Sequence, residues 1–383
     1  MSGGPYGIED TVPAFGPGVT LVLLILTPIL WSAPVALVMA ELASAMPDEG
    51  GYVTWTRHAF GPYWAFQVGW WSWIDSFVDV AVYPALFVEY LRFWVPEMGA
   101  LERWFLVVAF IGLLTGLNLL GVRPTGYAAV ALAIVSLLPV GVLTLVGLFA
   151  ARTSPWTPLA PTGQGMEALG LGLAVVMWNY SGWDTPSTIL GEARSPERTF
   201  RVATFLALPV LTAAYVLPVG AALATGAIAW NQWTTGILPT IARSVGGPWL
   251  GAVGRRFGTP WTAVLVSAAL YAAFAVFSFK ELIVLNVWLY SLSLLVELAA
   301  FVRLRVIAAD MPRPWRVPGG HFIAVSVVAF PVLFCVVAMV TAGWMNTIAG
   351  VTAAITGPLA YRLLGRRRFS SMTVARQSRE PSE

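Results

Sequence analysis

Apolar runs long enough to cross a lipid bilayer recur along the whole chain. The hydrocarbon core of a bilayer is about 30 Å thick, and a helix of about 20 residues spans it. Only 11% of the 383 residues are charged, whereas about 25% is usual in a soluble domain. The runs do not alternate between apolar and polar residues, so they favour helices over the strands of a barrel. The sequence therefore predicts an all-α polytopic membrane protein embedded in the lipid bilayer.

Ten complete spans and one half-helix are predicted from these runs. The half-helix lies within residues 1–17, and we interpret it as the second half of a first helix whose first half is absent. The complete spans are predicted at 19–45, 64–93, 104–120, 127–150, 169–191, 202–224, 261–279, 282–301, 323–344 and 347–364. Arginines collect in alternate loops, which the positive-inside rule assigns to the cytoplasm. Residues 365–383 are accordingly expected to form a disordered cytoplasmic tail of a protein in the cell membrane.

Two polar, glycine-rich stretches interrupt the apolar pattern. One is Trp-Asn-Tyr-Ser-Gly-Trp-Asp-Thr-Pro at 178–186, and the other is Ser-Gly-Gly-Pro-Tyr-Gly-Ile-Glu-Asp at 2–10. A broken helix frees backbone groups that hydrocarbon cannot satisfy, so a break must be buried in protein or line a water-filled cavity. Helices broken near the bilayer midplane form the substrate sites of secondary transporters. Both stretches are therefore predicted to line such a site.

The order of the spans shows one internal symmetry and one inconsistency. A broken helix opens each half of the chain, and the two breaks point in opposite directions, as in an inverted repeat. However, Arg201 and the pair Arg255–Arg256 both belong in the cytoplasm, although only one confident span lies between them. One span cannot begin and end on the same side of a membrane. Either a helix is missing here, or residues 237–253 form a re-entrant segment.

The first break combines free backbone donors with acidic side chains. Its glycines permit backbone conformations closed to other residues, and its proline suits the first turn of a helix. Free N–H groups at a helix amino terminus attract anions such as a carboxylate. Glu9 and Asp10 either attract a cation or carry a proton, or they only stabilise the helix amino terminus. The substrate-binding residues predicted here are Ser2, Gly3, Gly4, Pro5, Gly7, Glu9 and Asp10.

The second break and the span 64–93 supply the other predicted substrate-binding residues, which are Trp178, Asn179, Ser181, Trp183, Asp184, Asp79 and Tyr83. Asp184 either binds substrate or a proton, or it caps the second half of the broken helix, because Asp before Thr-Pro is an N-cap signal. The two tryptophans either close over an amine by cation–π contact or only pack. Asp75 and Asp79 are four residues apart and share a helix face with Tyr83. For these two aspartates, a structural hydrogen bond to another helix is the alternative.

Further ionisable residues lie at the ends of apolar spans. Glu41 and Glu192 close spans at the cytoplasmic face, where they serve either as a gate or as a cap. Glu297 lies one and a half turns before Arg303, so we expect these two to pair near the inner surface.

Other residue types exclude several kinds of site. Cys335 is the only cysteine and lies in an apolar run, so we interpret it as core packing. His58 and His321 share no ligand spacing with other residues, and neither a metal, a cofactor nor a catalytic role is predicted for them. The net charge of +3 comes from arginines in loops and the tail, so nucleic-acid binding is not predicted. The amino terminus has no basic region and does not indicate a signal peptide.

Several short stretches together carry a family resemblance. They are residues 2–10, Ala40-Glu41-Leu42 with Pro47 and Gly50-Gly51-Tyr52, Phe60-Gly61-Pro62, Asp79 with Tyr83-Pro84, Trp178-Asn179-Tyr180 through Trp183-Asp184, Gly191-Glu192, and Phe257-Gly258-Thr259-Pro260. At these residues the sequence resembles the amino acid–polyamine–organocation permease superfamily, and within it the polyamine and L-type amino acid permeases. The resemblance covers nearly the whole chain.

This resemblance implies a fold and a mode of action. The fold is a five-plus-five inverted repeat of helices with broken first and sixth helices, followed by a closing hairpin. Substrate is bound at the two unwound segments, often with proton coupling. Residues 1–364 would form one transporter domain, with 1–150 as the first repeat, 167–302 as the second and 322–364 as the hairpin. The chain departs from the family by lacking half of helix one and, between about Gly251 and Arg255, helix eight.

The leading hypothesis is a secondary active permease for amino acids or polyamines that works by alternating access and is proton-coupled. The acidic residues Glu9, Asp10, Asp79 and Asp184 favour a cationic substrate over a neutral one. The alternative is a transport-impaired, truncated relative acting as a sensor or partner subunit, which the missing helix favours. An intramembrane enzyme would need a nucleophile with a base, or His and Asp ligands, inside a span, and no span holds such a set. The oligomeric state, the coupling ion and the individual substrate stay open.

Overall fold

The computed structural model describes residues 6–48, 50–91, 95, 97–118, 122–161, 166–192, 196–235, 237–238, 241 and 278–365. Within these residues the chain is helical and contains no strand. The helices are α1 (Thr11–Phe15), α2 (Pro17–Ala45), α3 (Gly51–Phe60), α4 (Pro62–Leu91), α5 (Ala100–Asn118), α6 (Val122–Phe149), α7 (Met166–Asn179), α8 (Pro196–Thr225), α9 (Phe279–Ile307), α10 (Gly320–Thr341) and α11 (Trp344–Ala360). A 3₁₀ helix at Thr185–Glu192 follows α7 after a short break.

Most predicted spans coincide with helices to within about six residues at each end, as expected when local apolar pattern decides helix position. The span 169–191 is divided between α7 and the 3₁₀ helix Thr185–Glu192. The exception is the predicted span 261–279, because residues 242–277 lie outside the described part of the chain. The predicted loss of helix eight and the re-entrant alternative for 237–253 fall almost wholly on the same residues. The tail after residue 365 lies outside the described part as well.

Four of the described helices are long and apolar enough to cross a membrane by length and composition alone, namely Pro17–Ala45, Arg198–Thr225, Phe279–Ile307 and Gly320–Thr341. Large apolar side chains project from the outer helices, among them Phe322 at 81% exposure and Val340 at 76%. Such surfaces suit contact with lipid tails and would be unfavourable in water. The prediction of a polytopic helical membrane protein is therefore confirmed.

The helix α9 lies at the centre of the bundle. It packs against α3, α4, α7, α10 and α11, and its side chains are the most buried of the four long apolar helices. Buried polar side chains on such a helix are costly unless they pair with polar groups on neighbouring helices, so any that do not pair are candidates for a function. The prediction that Cys335 packs in the core is confirmed, since this thiol on α10 is fully buried.

A local irregularity in α2 shapes the region around the break. Pro28 cannot donate a backbone hydrogen bond, and residues Pro28–Ser32 form a π-helical turn inside the longer helix. The turn presents the Ser32 hydroxyl to the carbonyl of Tyr180, at 3.1 Å. In this way α2 contacts the interrupted part of the chain after α7.

Candidate substrate site

The break after α7 has satisfied its freed backbone carbonyls with side chains. Tyr215 donates its hydroxyl to the carbonyl of Asn179 at 3.0 Å. Ser181 donates to the carbonyl of Trp178 at 2.8 Å, and the Trp183 indole donates to the carbonyl of Tyr180 at 2.6 Å. These bonds meet the demand that hydrocarbon imposes on an interrupted helix. Residues 180–184 therefore form a stable interruption of the helix with its own set of hydrogen bonds.

Gly182 lets the chain turn inside the break. Its φ of +86° lies in the left-handed region that other residues adopt only at a cost. Its N–H donates to the hydroxyl of Tyr290 on α9 at 3.2 Å. The same hydroxyl donates to Oδ1 of Asp184 at 2.7 Å. Tyr290 thus fixes both the turn and the carboxylate of the break to the central helix.

Asp184 lies at the start of the second half of the broken helix. Its side chain is buried, with 6% of its surface exposed. It also accepts a hydrogen bond from the backbone N–H of Thr185, the first residue of the 3₁₀ helix. The carboxylate therefore contacts the start of the second half-helix as a cap would, while its other contact, Tyr290, comes from across the bundle. The geometry is compatible with both roles at once.

Asp79 of α4 lies against an aromatic group. Its carboxylate accepts hydrogen bonds from the Trp178 indole and the Tyr83 hydroxyl, each at 3.1 Å. The ring centroids of Tyr83 and Trp178 are 5.8 Å apart. Trp178 also meets Phe279 of α9 edge to face at 5.9 Å. A carboxylate beside aromatic rings is the combination that favours an organic cation, because both the charge and the ring faces attract it.

Asp75 lies one turn before Asp79 and adds a third carboxylate. It accepts a hydrogen bond from the Asn286 amide of α9 at 2.9 Å, and it interacts electrostatically with both Asp79 and Asp184. No described lysine or arginine forms an ion pair with any of these three aspartates. Neighbouring carboxylates repel each other when they are ionised, so a cation or a proton would stabilise this partly buried group.

The first break meets the second at Phe279. Gly7 has a φ of +84°, and a Cβ there would lie 2.6 Å from the Phe279 ring. Glu9 is fully buried and accepts a hydrogen bond from Tyr90. Asp10 pairs with Lys280 at 2.8 Å and accepts a bond from Thr235, so its charge is already balanced within the protein. The predicted site residues Ser2, Gly3, Gly4 and Pro5 lie outside the described residues.

Comparison with known proteins identifies the family. The sequence profile described as amino acid permease matches residues 4–253. The chain is 32% identical to the rice (Oryza sativa subsp. japonica) protein named polyamine transporter PUT1, over 98% of this chain and 78% of the relative. This chain belongs to the amino acid permease family. It is therefore a transporter and not an enzyme, and it crosses the membrane several times.

Other relatives of the permease carry names with different substrates. The Arabidopsis thaliana protein named polyamine transporter RMV1 is 32% identical over 93% of the permease and 81% of the relative. The Bacillus subtilis protein named glutamate/serine transporter AimA is 25% identical over 48% of the permease and 37% of the relative. The resemblance to polyamine and amino acid permeases stated from the motifs is thus confirmed at the level of the family.

An ion-pair cluster lies around Glu41, near the end of α2. This fully buried carboxylate accepts a bond from Arg305 at 2.9 Å, lies 3.3 Å from Arg313, and accepts the Val317 N–H at 2.7 Å. Burial lowers the pKa of the Arg313 guanidinium from its ordinary value, and the charge of Glu41 opposes that shift. Arginine stays charged at physiological pH. Glu41 thus ties α2 to α9 and to the loop before α10, whereas the side chain of Glu192 lies outside the described residues.

One expected ion pair of the permease is wrong. Arg303 donates to the carbonyl of Ala59 at 2.7 Å and lies over the ring of Phe60. It does not pair with Glu297, which is buried with 1% of its surface exposed. The two residues are six positions apart, so their side chains point in directions about 240° apart around the helix axis and lie on different faces. Arg303 therefore anchors α3 and the following turn.

The residues of α9 that hold the site were missed in the sequence. Asn286 and Tyr290 are isolated polar residues in a long apolar run, and neither residue alone indicates a site. Their spacing of four is the signal that could have found them, because residues i and i+4 lie on one helix face. Of the predicted site residues, the structure brings together Asp79, Tyr83, Trp178, Asn179, Ser181, Trp183 and Asp184 around one break.

Proposed function

We propose that this permease is a secondary active transporter of small organic cations, with polyamines or cationic amino acids as its substrates. The observation that carries the proposal is the group of Asp75, Asp79 and Asp184, a buried carboxylate and two partly buried ones with which no described lysine or arginine forms an ion pair. A substrate ammonium bound there would balance charge that is otherwise costly at this depth. Trp178, Tyr83 and Phe279 would contact the methylene groups between the amines.

The mode of transport follows from the two breaks. Substrate would bind between residues 2–10 and the break at 180–184, and the helices around it would rock so that the site opens to either side in turn. We assign residues 1–150 and 167–302 to the two inverted repeats and 322–364 to the closing hairpin. The contact of Gly7 with Phe279, and of Phe279 with Trp178, supports the idea that both breaks border one site. Proton symport would supply the driving force.

The orientation in the cell membrane follows from loop charge. Arg57, Arg198 and Arg201 would lie on one side if each span from α2 to α8 crosses the membrane once. Arg313 lies 3.3 Å from Glu41 near the end of α2, and Arg316 follows in the same loop, which supports the same side for both. The positive-inside rule assigns that side to the cytoplasm. The carboxy-terminal tail, with its three consecutive arginines at 366–368, would lie on the same side.

A second candidate function is a transport-impaired relative that senses substrate or serves as a partner subunit. One observation favours it. The alignment with the rice relative is 417 positions long, whereas this chain has 383 residues, so part of the rice relative has no counterpart in this chain. If the gap removes helix eight of the scaffold, the permease would bind substrate without carrying it across. The two candidates therefore differ in transport and agree in binding.

The decisive experiment is counterflow in proteoliposomes that contain the purified permease. Vesicles are loaded with unlabelled putrescine, spermidine, arginine, leucine or glutamate, and uptake of the same labelled compound is followed. We expect counterflow of a diamine or of arginine and none of leucine or glutamate. Asp184→Asn or Asp79→Asn should weaken affinity roughly tenfold to 150-fold, because a hydrogen bond to a charged group contributes about 1.5–3 kcal/mol.

The matched control is Asp310→Asn, which removes an exposed carboxylate from the loop after α9 and should leave counterflow unchanged. Counterflow of leucine alone would contradict the assignment of a cationic substrate.

Thermal unfolding separates the two candidate functions. A ligand at 100 times its dissociation constant adds about 2.7 kcal/mol of stability, so stabilisation by a diamine without any counterflow would favour the sensor.

A further inference from the structure

One face of α9 carries a continuous line of polar side chains. Asn286, Tyr290, Ser293 and Glu297 follow one another at spacings of four, three and four, which places them on one side of the helix. The first two hold Asp75 and Asp184. Ser293 accepts a hydrogen bond from Ser72 of α4 at 3.4 Å. The line extends about 16 Å along the helix axis, and Glu297 is its last member on the cytoplasmic side.

Glu297 differs from the other members because its carboxylate oxygen Oε2 is buried and has no hydrogen-bond donor among the described residues. Only 1% of its surface is exposed, and no described residue donates a hydrogen bond to its Oε2. No described lysine, arginine or histidine forms an ion pair with it. An ionised carboxylate buried without a partner is strongly disfavoured, both in protein interiors and in membranes. The group is therefore stable in this position as a neutral acid.

The surroundings of Glu297 hold other titratable groups but no cation that balances it. From α3, Tyr52 interacts with Glu297, Asp184 and Asp75. The break contributes Asp184, α9 itself contributes Tyr290, and α10 contributes Cys335. The segment of α11 has no titratable side chain. On α2, Glu41 is already paired with Arg305 and Arg313.

The interaction that matters is the one between Glu297 and Asp184. Asp184 accepts a hydrogen bond from Tyr290, which lies two turns before Glu297 on the same face of α9, so the two carboxylates border one region of the bundle. Asp184 is also a proposed ligand of the substrate ammonium. Two nearby carboxylates do not both ionise readily in a buried site, because like charges repel. Protonation of Glu297 would therefore allow Asp184 to remain ionised and to hold a cation.

We propose that Glu297 is the proton-binding site of this permease, and that it binds the co-transported proton while Asp184 binds the substrate ammonium. This proposal rests on the proposed transport function and adds the coupling site to it. The step is a simple protonation: a proton from water joins a carboxylate oxygen, an O–H bond forms, and no electron is transferred. The pair then carries one proton and one organic cation together, which is a symport stoichiometry of one to one.

The test uses proteoliposomes that hold the full-length permease and a pH-sensitive dye inside. The probe is putrescine, or arginine if putrescine gives no counterflow. In the unaltered protein, an inward substrate gradient should acidify the vesicle interior, and affinity should change with pH by roughly 5- to 150-fold, as for a typical linkage between two sites. Glu297→Gln resembles the protonated acid permanently. It should keep counterflow, lose acidification and bind substrate independently of pH.

Two further variants make the outcome specific. Glu297→Asp keeps a carboxylate and should restore part of the acidification, which a purely structural role would not require. Asp310→Asn should acidify vesicles as the unaltered permease does. Acidification by Glu297→Gln at the unaltered level would overturn the proposal, and so would a folded Glu297→Gln protein that has lost counterflow. Absence of counterflow in the unaltered protein would instead refute the proposed transport function, and the coupling proposal with it.

Discussion

At the scale of single residues, the break depends on a few side chains that replace lost helical hydrogen bonds. The carbonyl of Tyr180 shows this most clearly, since it accepts bonds from both Ser32 and Trp183. A buried carbonyl needs at least one donor, and the second adds less than the first. The two donors come from different elements, so the carbonyl joins α2 to the break.

This redundancy leads to a prediction about non-additive stability. Ser32→Ala and Trp183→Phe should each lower the thermal unfolding midpoint slightly, because the carbonyl of Tyr180 keeps one donor in either variant. The double variant should lose more than the sum, by about 1–3 kcal/mol, since it leaves that carbonyl unsatisfied. Ser326→Ala is a matched control, because its exposed hydroxyl donates only within its own helix. Additive losses would show that another group satisfies the carbonyl.

Among the helices, the short helix α3 packs directly against the 3₁₀ helix that follows the break. Its amino terminus lies against the 3₁₀ helix after the break, where Gly50 donates to the carbonyl of Thr188 at 3.2 Å. The contact is close because Gly51 has no side chain. A Cβ at Gly51 would lie 2.1 Å from Oγ of Ser187. Movement of the 3₁₀ helix would therefore be felt by α3 directly.

The two glycines around α3 allow a controlled test of that contact. Gly51→Ala places a methyl group on Ser187 in addition to straining the backbone, so it should lower stability by about 1–3 kcal/mol beyond the strain. Gly61→Ala also strains the backbone, at φ +86° and ψ −178°, a region open almost only to glycine, but it meets nothing within 4 Å. Its loss should come from the backbone alone, at about 1–3 kcal/mol. Thermal unfolding in detergent measures both, and equal losses would show that the contact with Ser187 relaxes freely.

At the scale of the whole molecule, the proposed orientation assigns each loop to one side of the membrane. The loop 151–161 should lie outside, and the loop between α9 and α10 should lie in the cytoplasm. The order of helices alone does not give this orientation. It follows from the arginines that stay on the cytoplasmic side during insertion.

The single buried cysteine makes this orientation easy to measure. Cys335 is fully buried, so the unaltered permease should react little with a membrane-impermeant thiol reagent applied to intact cells. Arg152→Cys should be labelled from outside, because that position is exposed in the loop 151–161. Asp310→Cys should be labelled only after the membrane is opened. The reverse pattern would invert the topology and place the Glu41 cluster on the outer side.

The positions of most helices, the membrane setting, the break after α7 and the family could all be predicted from the sequence. Each of these features follows from a local pattern. A chain in hydrocarbon must satisfy its backbone hydrogen bonds within each helix, so a break in a helix requires polar residues that stand out in the sequence. Asp79, Tyr83, Trp178 and Asp184 could be singled out for the same reason, since ionisable and polar residues are rare in such runs.

Which of these side chains contact one another is shown by the tertiary structure alone. Asp184 pairs with Tyr290 and Asp75 with Asn286, across 106 and 211 positions of the chain. Glu297 lies apart from Arg303 although the two are close in sequence. Helix association in lipid depends on shape, small residues and interhelical hydrogen bonds, and apolar character does not distinguish one neighbour from another. The partners of each carboxylate, and therefore the chemistry of the site, come from that packing.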